Sequence, residues 1–185
     1  LDWFSDKASS LVRWHVTGEK VSGTFSRQAL PMVWDYFEVN PFSDATSDWS
    51  AAQDWVLRVV SHCSEIRGAA APVVLQGTAT TLPWPDDHFD AVLTDPPYYD
   101  NVPYSHLSDF FYVWLKRSVG HLYSEHFSGD LVPKKREAVA EPSRHGGDWN
   151  AARIAYESMM LDAFHEANRV LKPGGVYIVK CQDEV

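Results

Sequence analysis

The tetrapeptide Asp95-Pro96-Pro97-Tyr98 is the part of this sequence whose residue types and spacing best fit a catalytic site. It follows the apolar run 89–94, which predicts a β-strand. Open α/β sheets place their chemistry just beyond the carboxyl ends of their strands. A chain of this length would contain the tetrapeptide by chance roughly once in a thousand cases. We therefore interpret it as a functional motif, with a rigid turn whose tyrosine merely packs as the alternative.

These residues suit methylation of an exocyclic amino group on a nucleic-acid base. The amino nitrogen is a poor nucleophile because its lone pair is delocalised into the ring. If the Asp95 carboxylate accepts one N–H and the carbonyl of Asp95 or Pro96 accepts the other, the nitrogen is drawn towards tetrahedral geometry. Its lone pair can then attack an electrophilic methyl group. Pro96 and Pro97 stiffen the turn, since proline fixes φ and lacks an N–H. Tyr98 can stack on a base that has left its helix.

The composition is that of a soluble globular protein, since 45% of the 185 residues are hydrophobic and 22% are charged. This length predicts one domain or a large piece of one. The sequence has no apolar run near the ~20 residues that span a membrane and no signal-peptide pattern, so we expect a cytoplasmic protein. Cys63 and Cys181 are far apart, which predicts buried thiols in a reducing compartment rather than a structural disulfide.

The formal net charge of −9 argues against a general nucleic-acid clamp, which would normally be basic. Any DNA contact is therefore expected to be local. The basic cluster Lys134-Lys135-Arg136 lies in a predicted loop after the motif and is our candidate for that contact, with a solvated charged loop as the alternative. The pair His121 and His126 has no cysteine partner, so we expect no metal site.

Hydrophobic periodicity predicts an α/β pattern along the chain. Residues 1–24 have no clear period and are predicted to be an arm of uncertain structure, either a short strand or a packed segment. The predicted helices run from Ser26 to Phe37, from Ser50 to Gly68, from Leu107 to near Gly120 and from Ala152 to Leu171. The predicted strands cover residues 73–75, 89–94 and 176–179, the first of them short and buried. Long crossovers between strands imply parallel pairing.

Several local signals define the ends and connections of these elements. Ser50 and Gln53 form a capping box for the second helix. Pro31 interrupts the first helix, and Pro173-Gly174-Gly175 stops the last one. The last helix is expected to turn its apolar residues inward, namely Met160, Phe164, Ala167 and Leu171. Residues 82–87 are predicted to be a turn, with Asp86 and Asp87 as turn formers, and 121–149 a long polar loop.

Two segments resemble a known fold family. Gly77-Thr78-Ala79, the run 82–92 and the tetrapeptide together resemble the middle of a Rossmann-like, S-adenosylmethionine-dependent methyltransferase. The segment 163–175 resembles the helix and turn before the fifth strand of that fold. Within the superfamily, the D-P-P-Y form resembles DNA adenine-N6 and cytosine-N4 methyltransferases. More narrowly, segments 27–35 and 98–104 resemble the large bacterial and archaeal proteins assigned as adenine-specific DNA methylases.

The resemblance implies an α/β fold with a mostly parallel sheet, formed by residues 25–185 after the arm at 1–24. It implies transfer of a methyl group from S-adenosylmethionine to N6 of adenine in DNA, with cytosine N4 as the second choice. The roles of the tetrapeptide are those given above. Gly77, Thr78 and Ala79 would line the adenine pocket of the cofactor, and Tyr99 and Asn101 would contact the base or the DNA backbone.

Two departures from the family pattern keep alternatives open. The glycine-rich loop that holds the methionine part of the cofactor is not in this sequence, which predicts a truncated domain whose parent chain supplies the remainder. Thr78 stands where the family often has an acidic or amide residue, and its hydroxyl is a weaker acceptor than a carboxylate. The alternatives are an RNA or protein amide methyltransferase, which more often has Asn in place of Asp95, and a non-catalytic nucleic-acid or protein binding module with the same fold.

Overall fold

The computed structural model describes residues 2–26, 30, 32–44, 48–68, 70–100 and 102–180. The mixed α/β class expected from the sequence is confirmed. In chain order the elements are α1 (Asp2–Lys7), β1 (Arg13–His15), β2 (Lys20–Ser22), α2 (Trp49–Ser64), β3 (Phe89–Thr94), α3 (Tyr104–Val119), a short 3-10 helix (Pro142–His145), α4 (Trp149–Val170) and β4 (Leu171–Val179). None of the helices among the described residues is long and apolar enough to cross a membrane.

The chain divides into two compact units. The first contains Leu1–Val73 and Leu107–Val132, and the second contains Val74–His106 and Pro133–Val185. The second unit contains the tetrapeptide, the proposed cofactor segment and the basic cluster. The partition of the sequence into an arm at 1–24 and a catalytic remainder stays a prediction.

The first unit is built around a short antiparallel hairpin and aromatic contacts. β1 pairs with β2, with Trp14 opposite Val21, which confirms a short strand in the predicted arm. The ring of Phe25 lies 4.9 Å from that of Phe111 on α3. Val12 is fully buried. These contacts give this unit its own small core.

Helix α2 begins two residues earlier than the capping box predicted. Asp48 is the N-cap, and its carboxylate accepts a hydrogen bond of 2.6 Å from the Ala51 N–H. The predicted cap at Ser50 is therefore wrong, because the Asp48 carboxylate already satisfies the unpaired N–H of the first turn. Cys63 lies near the end of this helix and is exposed, so the predicted burial of its thiol is wrong. Cys181 lies outside the described residues.

Two predicted elements are absent from the described residues. The predicted buried strand at 73–75 is wrong, since Val73, Val74 and Leu75 are 71%, 87% and 57% exposed. A strand needs a neighbour for its backbone groups, and in the described sheets β3 pairs with β4 rather than with this segment. The helix predicted from Ser26 to Phe37 is also wrong at its described positions, 26, 30 and 32–37, which have no helical structure. In the sequence, Pro31 opposes a helix here, because proline has no N–H to donate to a helical hydrogen bond. Residues 27–29 and 31 lie outside the described residues.

The second unit contains the parallel pair β3–β4, as predicted. Ala91 lies opposite Val176 and Thr94 opposite Val179, and the register shifts before Ala91. The shift accommodates Pro173-Gly174-Gly175 inside β4, where Gly174 has a φ of 79° that favours glycine. The predicted helix end at Leu171 is one residue late, because Leu171 is already extended, and Pro173-Gly174-Gly175 lie within β4.

Helices α3 and α4 confirm two of the predicted helices. α4 is capped by Asp148, whose carboxylate accepts from the N–H groups of Asn150 and Ala151. Of the residues predicted to face inward, Ala167 is buried, whereas Phe164 is 37% exposed and its ring centroid lies 6.1 Å from that of Tyr177. On α3, part of the predicted apolar stripe is exposed, since 43% of Trp114 is accessible.

An ionic network connects the end of α4 to the turn that leads into β3. Arg169 donates to the carbonyls of Leu82 and Trp84 and to the Asp86 carboxylate, at 3.2, 2.9 and 2.6 Å. Glu166 pairs with Arg169 at 2.6 Å and accepts from the Leu82 N–H at 2.7 Å. The predicted turn at 82–87 is confirmed. The network fixes where β3 begins relative to α4.

The hydrogen bond from Arg169, followed by that from the Leu82 N–H, lowers the pKa of Glu166 from 4.5 to about 2. A carboxyl group whose pKa is lower in the folded protein stabilises the fold above its unfolded pKa, and this contribution is lost as the pH falls through the folded pKa. We expect Glu166→Gln to lower the melting temperature at pH 7, with a difference from wild type that shrinks as the pH falls from about 4.5 towards 2. Thermal melts between pH 2 and 7 measure this.

The matched control for that experiment is Glu157→Gln on the same helix. Glu157 pairs with Arg153 at 3.9 Å, and both side chains are more than half exposed. Exposed pairs of this kind contribute little to stability, so the control should show almost no pH-dependent difference. Equal behaviour of the two variants would contradict the role of Glu166.

Candidate active site

The candidate site lies where the two parallel strands end. Asp95 follows β3 and Lys180 follows β4. The Lys180 N–H donates to the Thr94 carbonyl at 2.9 Å and extends the strand pairing by one more step. The two residues therefore leave the sheet side by side, at the edge where open α/β sheets hold their chemistry.

Both oxygens of the Asp95 carboxylate accept hydrogen bonds. The Tyr98 hydroxyl donates to Oδ1 at 2.6 Å, and the Lys180 ammonium donates to Oδ2 at 3.0 Å. The side chains of Lys180 and Asp95 remain 68% and 53% exposed. The carboxylate is thus oriented by two partners while it stays open to a ligand from solvent.

The charge states follow from these contacts. The hydrogen bond from Tyr98, together with that from Lys180, lowers the pKa of Asp95. The same bonds to Asp95 raise the pKa of the Tyr98 hydroxyl and that of the Lys180 ammonium. Near neutral pH the site therefore holds an ionised carboxylate, a neutral phenol and a charged ammonium.

The turn after Asp95 is held by contacts that involve backbone groups. The Tyr156 hydroxyl on α4 donates to the Pro97 carbonyl at 2.8 Å. The Ala140 N–H donates to the Tyr99 carbonyl at 3.0 Å. Tyr99 has a φ of 42°, in the left-handed region that is uncommon for a bulky residue. Because the Pro97 carbonyl is engaged, the carbonyls of Asp95 and Pro96 are the candidates for a second acceptor.

Tyr99 was expected to contact the base or the DNA backbone. Its ring instead packs edge-on against Tyr156, with centroids 5.3 Å apart, and 38% of the residue is exposed. The ring of Tyr99 therefore packs within the turn, and its contact with a base or with the DNA backbone stays a prediction. Asn101, the other candidate of this kind, lies outside the described residues.

The segment that carries the basic cluster is attached to the start of α3 by buried polar contacts. Glu137 accepts from the N–H of Ser105 at 2.8 Å and from Arg144 at 2.7 Å, and it also accepts from the Ser105 hydroxyl. Burial raises the pKa of Glu137, but the hydrogen bonds from Ser105 and Arg144 outweigh it and lower the pKa overall. Arg144 also donates to the Lys134 carbonyl at 2.6 Å.

These contacts define the setting of the basic cluster. Lys134 is half-buried, whereas Lys135 and Arg136 are exposed. Their segment reaches the turn of the candidate site through the hydrogen bond between Ala140 and Tyr99. The two exposed cations can meet an anionic ligand, and whether they contact DNA stays a prediction.

The segment proposed to line the cofactor's adenine pocket forms a tight turn. The Thr78 hydroxyl hydrogen-bonds to that of Thr80 at 2.8 Å, and the Thr81 N–H donates to the Thr78 carbonyl at 3.3 Å. Gly77 and Ala79 are exposed, and a Cβ at Gly77 would meet nothing within 4 Å. Residues 77–79 therefore form an open turn, and their contact with the adenine of a cofactor stays a prediction.

Comparisons with protein-family models, with curated proteins and with solved structures found no match for this chain. Among the described residues, no group of three or more histidine, cysteine or acidic side chains is arranged to hold a metal ion.

Lys180 and Tyr156 are site residues that the sequence analysis missed. The sequence did indicate Lys180, because it directly follows the predicted strand at 176–179, as Asp95 directly follows the strand at 89–94. Parallel strands end at the same edge, so the two could have been paired in advance. Tyr156 had no such signal, since its contact depends on where α4 lies against the turn.

We expect Tyr156→Phe to lower the free energy of unfolding by about 1 kcal/mol, the usual net value of one hydrogen bond. The ring of phenylalanine preserves the contact with Tyr99, so the loss reports the bond to the Pro97 carbonyl. Urea denaturation measures it. The control is Tyr36→Phe at an exposed position, which should change stability by much less; equal effects would contradict the role of Tyr156.

Proposed function

We propose that this chain carries the amine-activating half of a methyltransferase that acts on N6 of adenine in DNA. The single observation that carries the proposal is the Asp95 carboxylate, which is ionised, held by two partners and 53% exposed at the end of β3. An exocyclic amine needs such an acceptor. We also propose that β3 and β4 belong to a Rossmann-like methyltransferase sheet.

The proposed chemistry at the amine uses residues of this chain. One amine N–H donates to the Asp95 carboxylate, and the other donates to the carbonyl of Asp95 or Pro96. Both bonds localise the lone pair on nitrogen, which then points away from the two acceptors. The rigid turn contributes by positioning, which can be worth about 7–11 kcal/mol for well-aligned reactants. When bound, S-adenosylmethionine would supply the electrophilic methyl group and leave as S-adenosylhomocysteine, and the proton that the methylated amine loses would pass to the Asp95 carboxylate.

The substrate side of the proposal rests on charge and on aromatic residues. The chain as a whole is acidic, so we expect DNA contacts only where cations are locally exposed. Lys135 and Arg136 are exposed cations in the same unit as Asp95. Tyr98 is half-buried and its hydroxyl is fixed on Asp95. Its ring is therefore held next to the acceptor, where an extruded base would have to lie.

We expect Asp95→Asn to reduce methyl transfer by roughly 10²–10⁴-fold, the usual contribution of a group that handles a proton in the transition state. The measurement is transfer of labelled methyl to adenine-containing DNA by the full-length natural protein. Asp90→Asn is the matched control, because Asp90 lies on the same strand and is also exposed and paired with a lysine. The control should retain nearly full transfer.

The same assay separates the alternatives. Transfer to RNA or to a protein amide in preference to DNA would replace the proposed substrate. Activity of the Asp95→Asn variant close to that of the Asp90→Asn variant would sink the proposed role of the carboxylate. Tight DNA binding without any methyl transfer by the wild-type protein would favour the non-catalytic binding module.

A second prediction concerns Tyr98. If its ring stacks on the target base, Tyr98→Ala should weaken DNA binding by about 1–3 kcal/mol, whereas Tyr98→Phe should retain the affinity because it keeps the aromatic face. Fluorescence anisotropy with labelled DNA measures the affinity. Tyr123→Ala, at an exposed loop position, is the control and should change the affinity little.

Thermal melts of the same variants distinguish stacking from packing. A buried aromatic costs about 3–5 kcal/mol of stability when it is replaced by alanine. A large fall in the melting temperature of Tyr98→Ala with unchanged DNA affinity would show that the ring packs rather than stacks.

A further inference from the structure

Lys180 contacts the oxygen of Asp95 that Tyr98 leaves free. Its Nζ lies 3.0 Å from Oδ2, while the Tyr98 hydroxyl lies 2.6 Å from Oδ1. The backbone of Lys180 is fixed by the bond from its N–H to the Thr94 carbonyl. The side chain therefore starts from a defined position one strand away and reaches the carboxylate directly.

A second lysine–aspartate pair bridges the same two strands and shows what is special about Lys180. Lys172 on β4 contacts Asp90 on β3 at 2.7 Å, with 45% and 88% of the side chains exposed. Asp90 has this one side-chain partner in its hydrogen bonds, whereas Asp95 has two, one on each oxygen. Exposed single pairs are typically worth little. Two partners on opposite oxygens, in contrast, restrict rotation of the carboxylate.

The proposed chemistry needs that restriction. A carboxylate that accepts an amine N–H must be ionised and must present a lone pair in a fixed direction. Each carboxylate oxygen has two lone-pair sites, so Oδ2 can accept an N–H beside the ammonium. We infer that Lys180 is a positioning residue, which orients the Asp95 carboxylate through Oδ2 for the incoming amine. This inference rests on the proposed function and assigns a third residue to that site.

The contact between Lys180 and Asp95 predicts the direction in which the pKa of Asp95 changes when the ammonium is removed. Within residues 70–100 and 102–180, the groups that hydrogen-bond to the Asp95 carboxylate are Tyr98, in the same turn, and Lys180, on β4. Both lower its pKa. Without the ammonium the pKa of Asp95 should rise, because an opposite charge no longer favours the ionised form. Activity that needs the ionised carboxylate should then begin at a higher pH.

The first test is a ¹³C NMR titration of the aspartate carboxyl groups. We expect Lys180→Met to move the Asp95 titration to higher pH, Lys180→Arg to leave it close to wild type, and Lys172→Met to move Asp90 but not Asp95. An unchanged Asp95 titration in Lys180→Met would overturn the inference. So would an equal effect of Lys172→Met on Asp95, since that would show a general charge effect.

The second test is the pH dependence of kcat/KM in the full-length natural protein. We expect the acid limb of Lys180→Met to shift to higher pH, Lys180→Arg to restore it, and Lys172→Met to leave it unchanged. A kcat/KM of Lys180→Met equal to that of wild type at every pH would contradict a positioning role through Asp95. If Asp95→Asn retains methyl transfer, the proposed function fails. If Asp95→Asn abolishes transfer and Lys180→Met leaves the limb in place, only the inference about Lys180 fails.

Discussion

The candidate site depends on one backbone interaction, the parallel pairing of β3 with β4. The ladder that sets Thr94 opposite Val179 brings the next residues, Asp95 and Lys180, to the same edge. A shift by one residue would send their side chains to opposite faces of the sheet. The hydrogen bond between the carboxylate and the ammonium is therefore a consequence of the register.

The register is in turn supported from the helix side. Arg169 on α4 binds backbone carbonyls of the turn before β3, and Tyr156 on the same helix binds the Pro97 carbonyl after it. One helix thus holds both ends of the strand. This explains how a reactive group can be oriented in a sheet that has two strands among the described residues, where packing alone offers little restraint.

The Asp95 carboxylate is hydrogen-bonded on both oxygens and is also exposed to solvent. Because about half of the side chain is accessible, water and a ligand can both reach the carboxylate. Charge is balanced locally, with Lys180 on the carboxylate and Lys135 and Arg136 exposed on a nearby segment of the same unit, while the whole chain is acidic. The local arrangement matters more than the net charge, since exposed charges farther apart than about 10 Å are largely screened.

The sequence by itself determined β3, α3, α4, the parallel pairing and the turn at 82–87, because periodicity and turn residues are local signals. It also singled out Asp95 and Tyr98 as candidates, since the chemistry of these residue types is visible in the motif, and their roles stay predictions. Only the tertiary structure decided that Val73–Leu75 does not join the sheet, that Cys63 is exposed, and that Tyr156 belongs to the candidate site. Burial and pairing depend on neighbours distant in sequence, and no local pattern records which neighbour a strand or side chain will find.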